Sequence, residues 1–112
     1  MALDNCIFCK IISGTISSSF IAQNDHVIVI KDISPKTPFH FLIIPKKHIA
    51  DVSCLTADDK DTAAAILLMA QELSQSHESL REFRLVSNNG VTIGQSVFHI
   101  HFHFLAGTHL SF

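Results

Sequence analysis

The fold is decided by one stretch of the sequence, His99-Ile100-His101-Phe102-His103-Phe104-Leu105. Along a β-strand successive side chains point to opposite faces, so the histidines are expected on one face and the apolar residues on the other. A rise of about 3.3 Å per residue separates neighbouring histidines by about 6.5 Å, which lets them line one small site. From the pattern alone, catalysis is about as well supported as a metal-ligand ladder and a solvent-facing polar stripe taken together.

Periodicity and turn signals predict the other elements of the fold. A short helix is predicted at residues 6–13, between a capping Asn5 and Gly14, and a long helix at residues 57–80, where Thr56 and Asp59 resemble a capping box. Strands are predicted at residues 20–23, 27–31, 39–44, 83–87 and 98–105. Because strands and helices segregate along the chain, the predicted class is α+β, a five-stranded antiparallel sheet with one long and one short helix.

Composition limits the class of protein. The chain has 112 residues, of which 47% are hydrophobic, which is enough for one folded domain over residues 1–112. Eight Lys and Arg against ten Asp and Glu, without a basic cluster beyond Lys46-Lys47, argue against a nucleic-acid-binding protein. We expect no membrane contact and a cytoplasmic location, because no apolar run approaches the roughly 20 residues that span a bilayer and the first residues do not resemble a signal peptide.

Several motifs, taken in order, resemble the histidine-triad (HIT) family. The histidine stretch is similar to the signature that names this family, and Gly94-Gln95-Ser96-Val97 is similar to its lead-in. Residues 32–40 and 41–48 resemble the nucleoside loop of the family and the strand after it, and residues 7–12 resemble its opening. The chain is identified as a member of the family, most similar to its nucleotide-binding branch and to the zinc-containing bacterial type.

The resemblance implies a function. Members of this branch are dimers that hydrolyse adenosine or guanosine phosphoramidates, so we expect a purine nucleotide substrate and a nucleotidyl-histidine intermediate. A homodimer is also expected because the sheet and the long helix would otherwise leave an apolar face or a strand edge exposed. Two alternatives remain open, a dinucleoside polyphosphate hydrolase with the same nucleophile and a non-catalytic nucleotide-binding adaptor.

Four residues match the catalytic group of the family. His101 is the predicted nucleophile, since a neutral imidazole is nucleophilic near pH 7. His103 is expected to hydrogen-bond a phosphate oxygen or the leaving group, and the Ser96 hydroxyl is expected to donate to phosphate. His40 matches a supporting histidine.

Further residues are expected to bind the nucleotide. Asp32 matches a carboxylate that accepts both ribose hydroxyls, and Asn88 matches an amide that contacts phosphate and ribose. Backbone N–H groups around Gly94 and Gln95 are expected to form an anion-binding nest. The residues that correspond to the apolar slot for the base are Ile7, Phe8, Ile11, Ile30 and Ile33. Without the resemblance, turn chemistry and core packing would account for the same residue types.

The cysteines indicate a metal site more than a disulfide framework. Cys6-x-x-Cys9 alone fits a redox pair or two buried thiols as well as a metal site. In zinc-containing members of the family such a pair is joined by two histidines, which correspond here to His48 and His99. Two thiolates and two imidazoles suit a closed tetrahedral zinc site with a structural role. Cys54 lies outside this set and is expected to be a buried small hydrophobe.

Overall fold

A computed structural model describes residues 5–112. The helices and strands, in chain order, are α1 (Ile7–Ile12), β1 (Ala22–Gln23), β2 (Val27–Lys31), β3 (Phe39–Pro45), α2 (Lys60–Ser76), β4 (Phe83–Val86) and β5 (Phe102–Ala106). The strands form one five-stranded antiparallel sheet in the order β1-β2-β3-β5-β4. The predicted α+β fold with one long and one short helix is confirmed. In residues 5–112, no helix has the length and apolar character needed to cross a bilayer.

The two helices pack on opposite faces of the sheet. The core on the α2 side consists of Val27, Val29, Phe41, Ile43, Ala65, Ile66, Met69, Ala70, Leu73, Leu80, Phe104 and Ala106. The core on the α1 side consists of Cys6, Phe8, Cys9, Ile11, Ile28, Ile30, Leu42 and Ile44. Residues of β2 and β3 alternate between these cores because successive strand residues face opposite sides. In β5, Phe104 faces α2 and the neighbouring His103, paired with Leu42, faces α1.

The last strand is shorter than predicted. Residues 98–105 were expected to be extended, but β5 begins at Phe102, so His99 and His101 precede the strand. The preceding backbone leaves the ladder to meet the segment after β3, where the Ile100 N–H donates to the Ile49 carbonyl at 2.6 Å. Alternation in the sequence continues across this change, which is why the sequence did not reveal it.

The ends of both helices also differ from the prediction. Cys6, not Asn5, caps α1, because its Sγ accepts the backbone N–H of Cys9. The predicted helix 57–80 is α2 flanked by 3-10 turns at Ala57–Asp59 and Glu78–Leu80, and the extended His77 separates α2 from the second turn. The capping box of Thr56 and Asp59 is confirmed.

Two smaller predictions are corrected as well. The first strand covers Ala22–Gln23, not residues 20–23. Cys54 is exposed, not buried, since it ends a 3-10 turn, Val52–Cys54, on the surface between β3 and α2.

Candidate active site and metal centre

Four side chains from three parts of the chain meet in one cluster. The Sγ atoms of Cys6 and Cys9 and the Nδ1 atoms of His48 and His99 lie within 4.8 Å of one another. Cys9 Sγ is 3.2 Å from His48 Nδ1, and the two Nδ1 atoms are 3.1 Å apart. Bond lengths of about 2.0 to 2.3 Å around a tetrahedral metal give donor separations of about 3.3 to 3.8 Å. The cluster is therefore able to hold a metal ion, and it brings together the four predicted ligands.

The hydrogen bond made by His99 Nε2 leaves Nδ1 of the same ring able to bind a metal. His99 Nε2 lies 2.7 Å from the carbonyl oxygen of Pro45. A carbonyl can only accept, so Nε2 carries the proton and Nδ1 keeps its lone pair toward the thiols. Burial lowers the pKa of His99 to about 4, which keeps the ring neutral, as metal binding requires. Burial also raises the pKa of the Cys6 thiol, and a bound cation would stabilise its thiolate.

A second cluster, Asp32, His40 and His103, has the spacing of metal ligands, but the position of the proton on the His40 ring opposes metal binding. The Lys36 N–H donates to His40 Nδ1 at 3.0 Å, so the proton of the neutral His40 ring is on Nε2. That Nε2 lies 2.8 Å from His103 Nδ1 and 3.3 Å from Asp32 Oδ2. A metal would need a lone pair where His40 holds its proton, so the geometry favours a chain of hydrogen bonds.

This chain of hydrogen bonds fixes the proton of His103. Because His103 Nδ1 accepts from His40, the proton of the neutral His103 ring is on Nε2. Burial, followed by the charges of His101 and His40, lowers the pKa of His103 to about 4. Burial also lowers the pKa of His40, although Asp32 opposes that shift. Both rings are therefore neutral at pH 7.

His101 lies between the two clusters and has the opposite tautomer. Its Nδ1 is 2.8 Å from the main-chain carbonyl oxygen of His99, so Nδ1 carries the proton and Nε2 keeps the lone pair. The Phe8 ring meets it edge to face with centroids 5.1 Å apart, and the His103 ring lies at 5.2 Å. A ring nitrogen with a lone pair therefore stands next to a ring that carries its proton on Nε2.

The loop before the histidines is held together by Gln95. The buried side chain accepts from the Gly90 N–H at 2.8 Å and donates to the carbonyls of Ala50 at 2.8 Å and Val97 at 3.1 Å. The backbone N–H of Gln95 donates to Gly90, and that of Gly94 donates to Val91. These two N–H groups are used inside the loop, so a nest here would depend on the N–H groups next to them, and it stays a prediction. Ser96, which follows, is exposed.

The residues predicted to line the base slot divide into two groups. Phe8, Ile11 and Ile30 are buried in the core on the α1 side, whereas Ile7 is 47% exposed and Ile33 is 98% exposed. The structure therefore does not bring all five together. Asp32 follows β2, and its Oδ1 accepts the Ser34 N–H, while the half-buried Asn88 follows β4.

Sequence reasoning missed the carbonyls that hold the segment carrying His99. Pro45, Ile49 and Ala50 act through main-chain oxygens, which every residue type has, so no residue pattern marks them. The role of Gln95 inside the loop was missed for a related reason, because a glutamine in a polar loop looks the same whether it faces a ligand or the loop itself. Only the Pro-Lys-Lys-His segment signalled that this part of the chain approaches the histidines.

Comparison with known proteins places the chain in a family. Residues 5–111 match the family model described as "Scavenger mRNA decapping enzyme C-term binding". A HIT-like protein from Synechocystis is 38% identical over 104 residues, which cover 93% of this chain and 91% of the relative. The chain belongs to the histidine-triad (HIT) family. Protein hit of Bacillus subtilis is 40% identical over 103 residues, covering 91% of this HIT chain and 70% of that protein.

Solved structures agree with this HIT assignment. The HIT family hydrolase from Legionella pneumophila superposes with a TM-score of 0.89 at 42% identity, covering 96% of each chain. A histidine triad protein from Clostridium difficile superposes with a TM-score of 0.91 at 33% identity, covering 98% of this chain and 96% of that one. The predicted family is confirmed.

Proposed function

We propose that this HIT protein hydrolyses purine nucleoside phosphoramidates, in which adenosine or guanosine 5′-monophosphate is linked to an amine. The observation that carries the proposal is the pair of opposite tautomers at His101 and His103. The lone pair on His101 Nε2 suits a nucleophile, and the proton on His103 Nε2 suits a hydrogen-bond donor to the departing amine nitrogen. Their ring centroids are 5.2 Å apart, which lets both contact one phosphoryl group.

The proposed reaction has two displacements. His101 Nε2 attacks the α-phosphorus and the phosphorus–nitrogen bond to the amine breaks, while the His103 Nε2–H hydrogen-bonds the departing nitrogen, which takes up a proton from water. A water molecule then attacks the phosphorus of the nucleotidyl-His101 intermediate and gives its proton to solvent, which releases the nucleoside monophosphate and restores the lone pair of His101. His40 supports both steps because it holds the His103 tautomer from the far side.

The remaining site residues would bind the substrate. Asp32 would accept ribose hydroxyls, while Asn88 and the exposed Ser96 would donate to phosphate oxygens. Among the predicted base-slot residues, Phe8 has the best support, because its ring already contacts His101. We also propose zinc as the metal of the Cys6, Cys9, His48 and His99 centre, since two thiolates and two neutral imidazoles are a preferred zinc donor set and fill all four positions.

We further propose that the protein is a homodimer built on residues 1–112 as one domain. β4 is an edge strand of the sheet, and Leu67 and Leu68 expose 62% and 63% of their surface on α2, which are features that a partner would cover. Sedimentation at micromolar concentration should give the mass of two chains, and a stable monomer there would contradict the proposal. The unpaired thiols support a reducing, cytoplasmic setting.

The test of the function is a substrate comparison with a matched variant pair. We expect kcat/KM to be highest for an adenosine or guanosine phosphoramidate, against diadenosine polyphosphates and a capped dinucleotide, the last included because of the name of the matched family model. His101→Ala should lose at least about ten-thousandfold in kcat and keep nucleotide binding, whereas His26→Ala, an exposed histidine, should keep both.

Other results would favour the alternatives. Faster cleavage of diadenosine polyphosphates would favour the dinucleoside polyphosphate hydrolase. Nucleotide binding without turnover of any of these substrates would favour the adaptor. Substantial turnover by His101→Ala would contradict the assignment of the nucleophile.

A further inference from the structure

One residue belongs to both the metal centre and the nucleophile. The His99 side chain points Nδ1 into the four-ligand cluster, and its main-chain carbonyl accepts the Nδ1–H of His101 at 2.8 Å. That hydrogen bond decides which nitrogen of His101 keeps a lone pair. The side chain and carbonyl of His99 share one Cα, so fixing the ring also restrains the carbonyl.

A second connection runs through α1. Phe8 lies between the ligands Cys6 and Cys9, and its ring contacts His99 at 5.8 Å and His101 at 5.1 Å between centroids. A six-residue helix is too short to be stable by itself, so its position depends on what anchors it. A metal bound to Cys6 and Cys9 would therefore also fix the ring that packs against His101.

A third connection is a set of hydrogen bonds between residues 45–50 and residues 95–100. Three carbonyls of the first segment accept from the second: Pro45 from His99 Nε2 at 2.7 Å, Ile49 from the Ile100 N–H at 2.6 Å and Ala50 from Gln95 Nε2 at 2.8 Å. The ligand His48 stands in the first segment and the ligand His99 in the second. A metal bound by both histidines would link the same two segments whose hydrogen bonds orient the residues leading to His101.

We infer that the centre formed by Cys6, Cys9, His48 and His99 positions the nucleophile, with His99 as the positioning residue, so that a bound metal controls the reactivity of His101. The inference rests on the proposed function in taking His101 as the nucleophile. A purely structural metal site would raise the free energy of unfolding and would leave His101 unchanged in a folded, metal-free protein. A positioning role predicts that His101 changes when the metal is removed. His103 depends on His40, whose contacts lie outside the centre, so its tautomer should not respond.

The first test reads the His101 tautomer without substrate. Protein labelled with ¹⁵N-histidine is loaded with Zn²⁺ or stripped with a chelator, and long-range ¹H–¹⁵N spectra are recorded near pH 8, above the ordinary histidine pKa of about 6.5. We expect a single Nδ1–H tautomer of His101 in the loaded protein and a mixture in the stripped one, with His103 unchanged. A single Nδ1–H tautomer in stripped, folded protein would overturn the inference.

The second test compares variants that lose stability on different sides of the sheet. His48→Ala removes a half-buried ligand without opening the core, and Leu73→Ala destabilises the opposite core. In single turnovers, we expect His48→Ala to form the intermediate about tenfold to hundredfold more slowly than wild type, as misplaced reacting groups do. Leu73→Ala should keep the wild-type rate despite its lower Tm. Equal rates for both variants would overturn the inference.

The two proposals fail in different ways. If the loaded wild type cleaves no phosphoramidate, the proposed function fails, but the tautomer spectra still report whether the metal centre holds His101. If turnover is normal and the tautomer does not respond to the metal, only the positioning role fails. Should His48→Ala not fold, the stripped wild type below its unfolding temperature gives the same comparison.

Discussion

Lys47 Nζ lies 2.6 Å from Asp59 Oδ1, and this ion pair joins the residue beside the ligand His48 to the capping box that precedes α2. Asp59 Oδ2 accepts the backbone N–H of Thr56 at 3.0 Å, so the two oxygens of the carboxylate serve two segments. Asp59 is 4% exposed, whereas the Lys47 side chain is 60% exposed. Removing the buried Asp59 carboxylate is therefore expected to lower the stability of the fold more than removing the exposed Lys47 side chain.

This carboxylate predicts a pH dependence of stability. Hydrogen bonds from Lys47 and then Thr56 hold the pKa of Asp59 below its usual range. A depressed pKa in the folded state adds stability above the ordinary Asp pKa of about 4, and this stability is lost as pH falls below it. Thermal unfolding between pH 7 and 3 should show a higher Tm for wild type than for Asp59→Asn at pH 7, and the gap should narrow as the pH falls toward 3. A pH-independent gap would contradict this.

The ion pair should also influence the metal centre. Lys47→Met removes the charge that links the His48 segment to α2, so we expect weaker Zn²⁺ binding, measured by competition with a chelating dye. The matched control is Lys46→Met, an exposed neighbour, which should bind Zn²⁺ like wild type. Equal affinities in the two variants would show that the centre does not depend on Lys47.

His40→Asn tests the hydrogen-bond chain to His103. Asparagine can still accept from the Lys36 N–H, but its shorter side chain does not extend to the position of His40 Nε2, so His103 should lose its fixed tautomer. We expect kcat to fall by less than the roughly hundredfold to ten-thousandfold loss typical of removing an acid–base group, with little change in KM. Steady-state kinetics measure this, and a rise in KM at constant kcat would assign His40 to binding instead.

Asp32 ends the same chain of hydrogen bonds, and Asp32→Ala tests whether this residue contributes to substrate binding or to the chemical step. A ribose contact remote from phosphorus acts as uniform binding energy, so KM should rise more than kcat falls. A smaller fall in kcat is also expected, because Asp32 Oδ2 lies 3.3 Å from His40 Nε2. If KM is unchanged on ribonucleotide substrates, Asp32 does not bind the ribose, and its role is limited to accepting the Ser34 N–H and contacting His40.

Two glycines provide a matched test of packing after β5. Gly107 has φ +97°, and a Cβ there would lie 2.9 Å from Phe39 Cδ2, whereas Gly14 has φ +84° and open space around it. Both Gly→Ala variants carry the backbone strain of about 1 kcal/mol or more, but only Gly107→Ala adds a steric clash. Chemical denaturation should therefore show the larger loss for Gly107→Ala, and equal losses would mean that Phe39 moves aside without cost.

The sheet and both helices could be predicted because their signals are local. Alternation, helical period and turn residues lie within a few positions of each other, as in β2 and α2. The start of β5 could not be predicted, since His99 and Ile100 satisfy the alternation while their polar atoms bond to Pro45 and Ile49. Those partners are far away in sequence and use main-chain oxygens, so no pattern of residue types marks them.

The site residues were predictable to the extent that the family motifs mark them. The four metal-ligand candidates meet as expected, but the pattern had no means of showing that Asp32 contacts His40 or that Gln95 bonds inside its own loop. The exposure of Ile33 was equally hidden, because an isoleucine after Asp32 reads as a buried residue until the loop geometry is known.

Because the residues of β2 alternate between two cores, substitutions in the two cores are expected to have different phenotypes. Substitutions in the core on the α2 side, for example at Met69, should lower the abundance of the protein in a cell while each folded molecule stays fully active. Substitutions in the core on the α1 side, for example at Phe8, should leave folded molecules that are individually impaired. A scan that measures expression and specific activity for every variant should therefore sort neighbouring residues such as Ile28 and Val29 into different classes, and the α2 side can be engineered for stability without disturbing the chemistry.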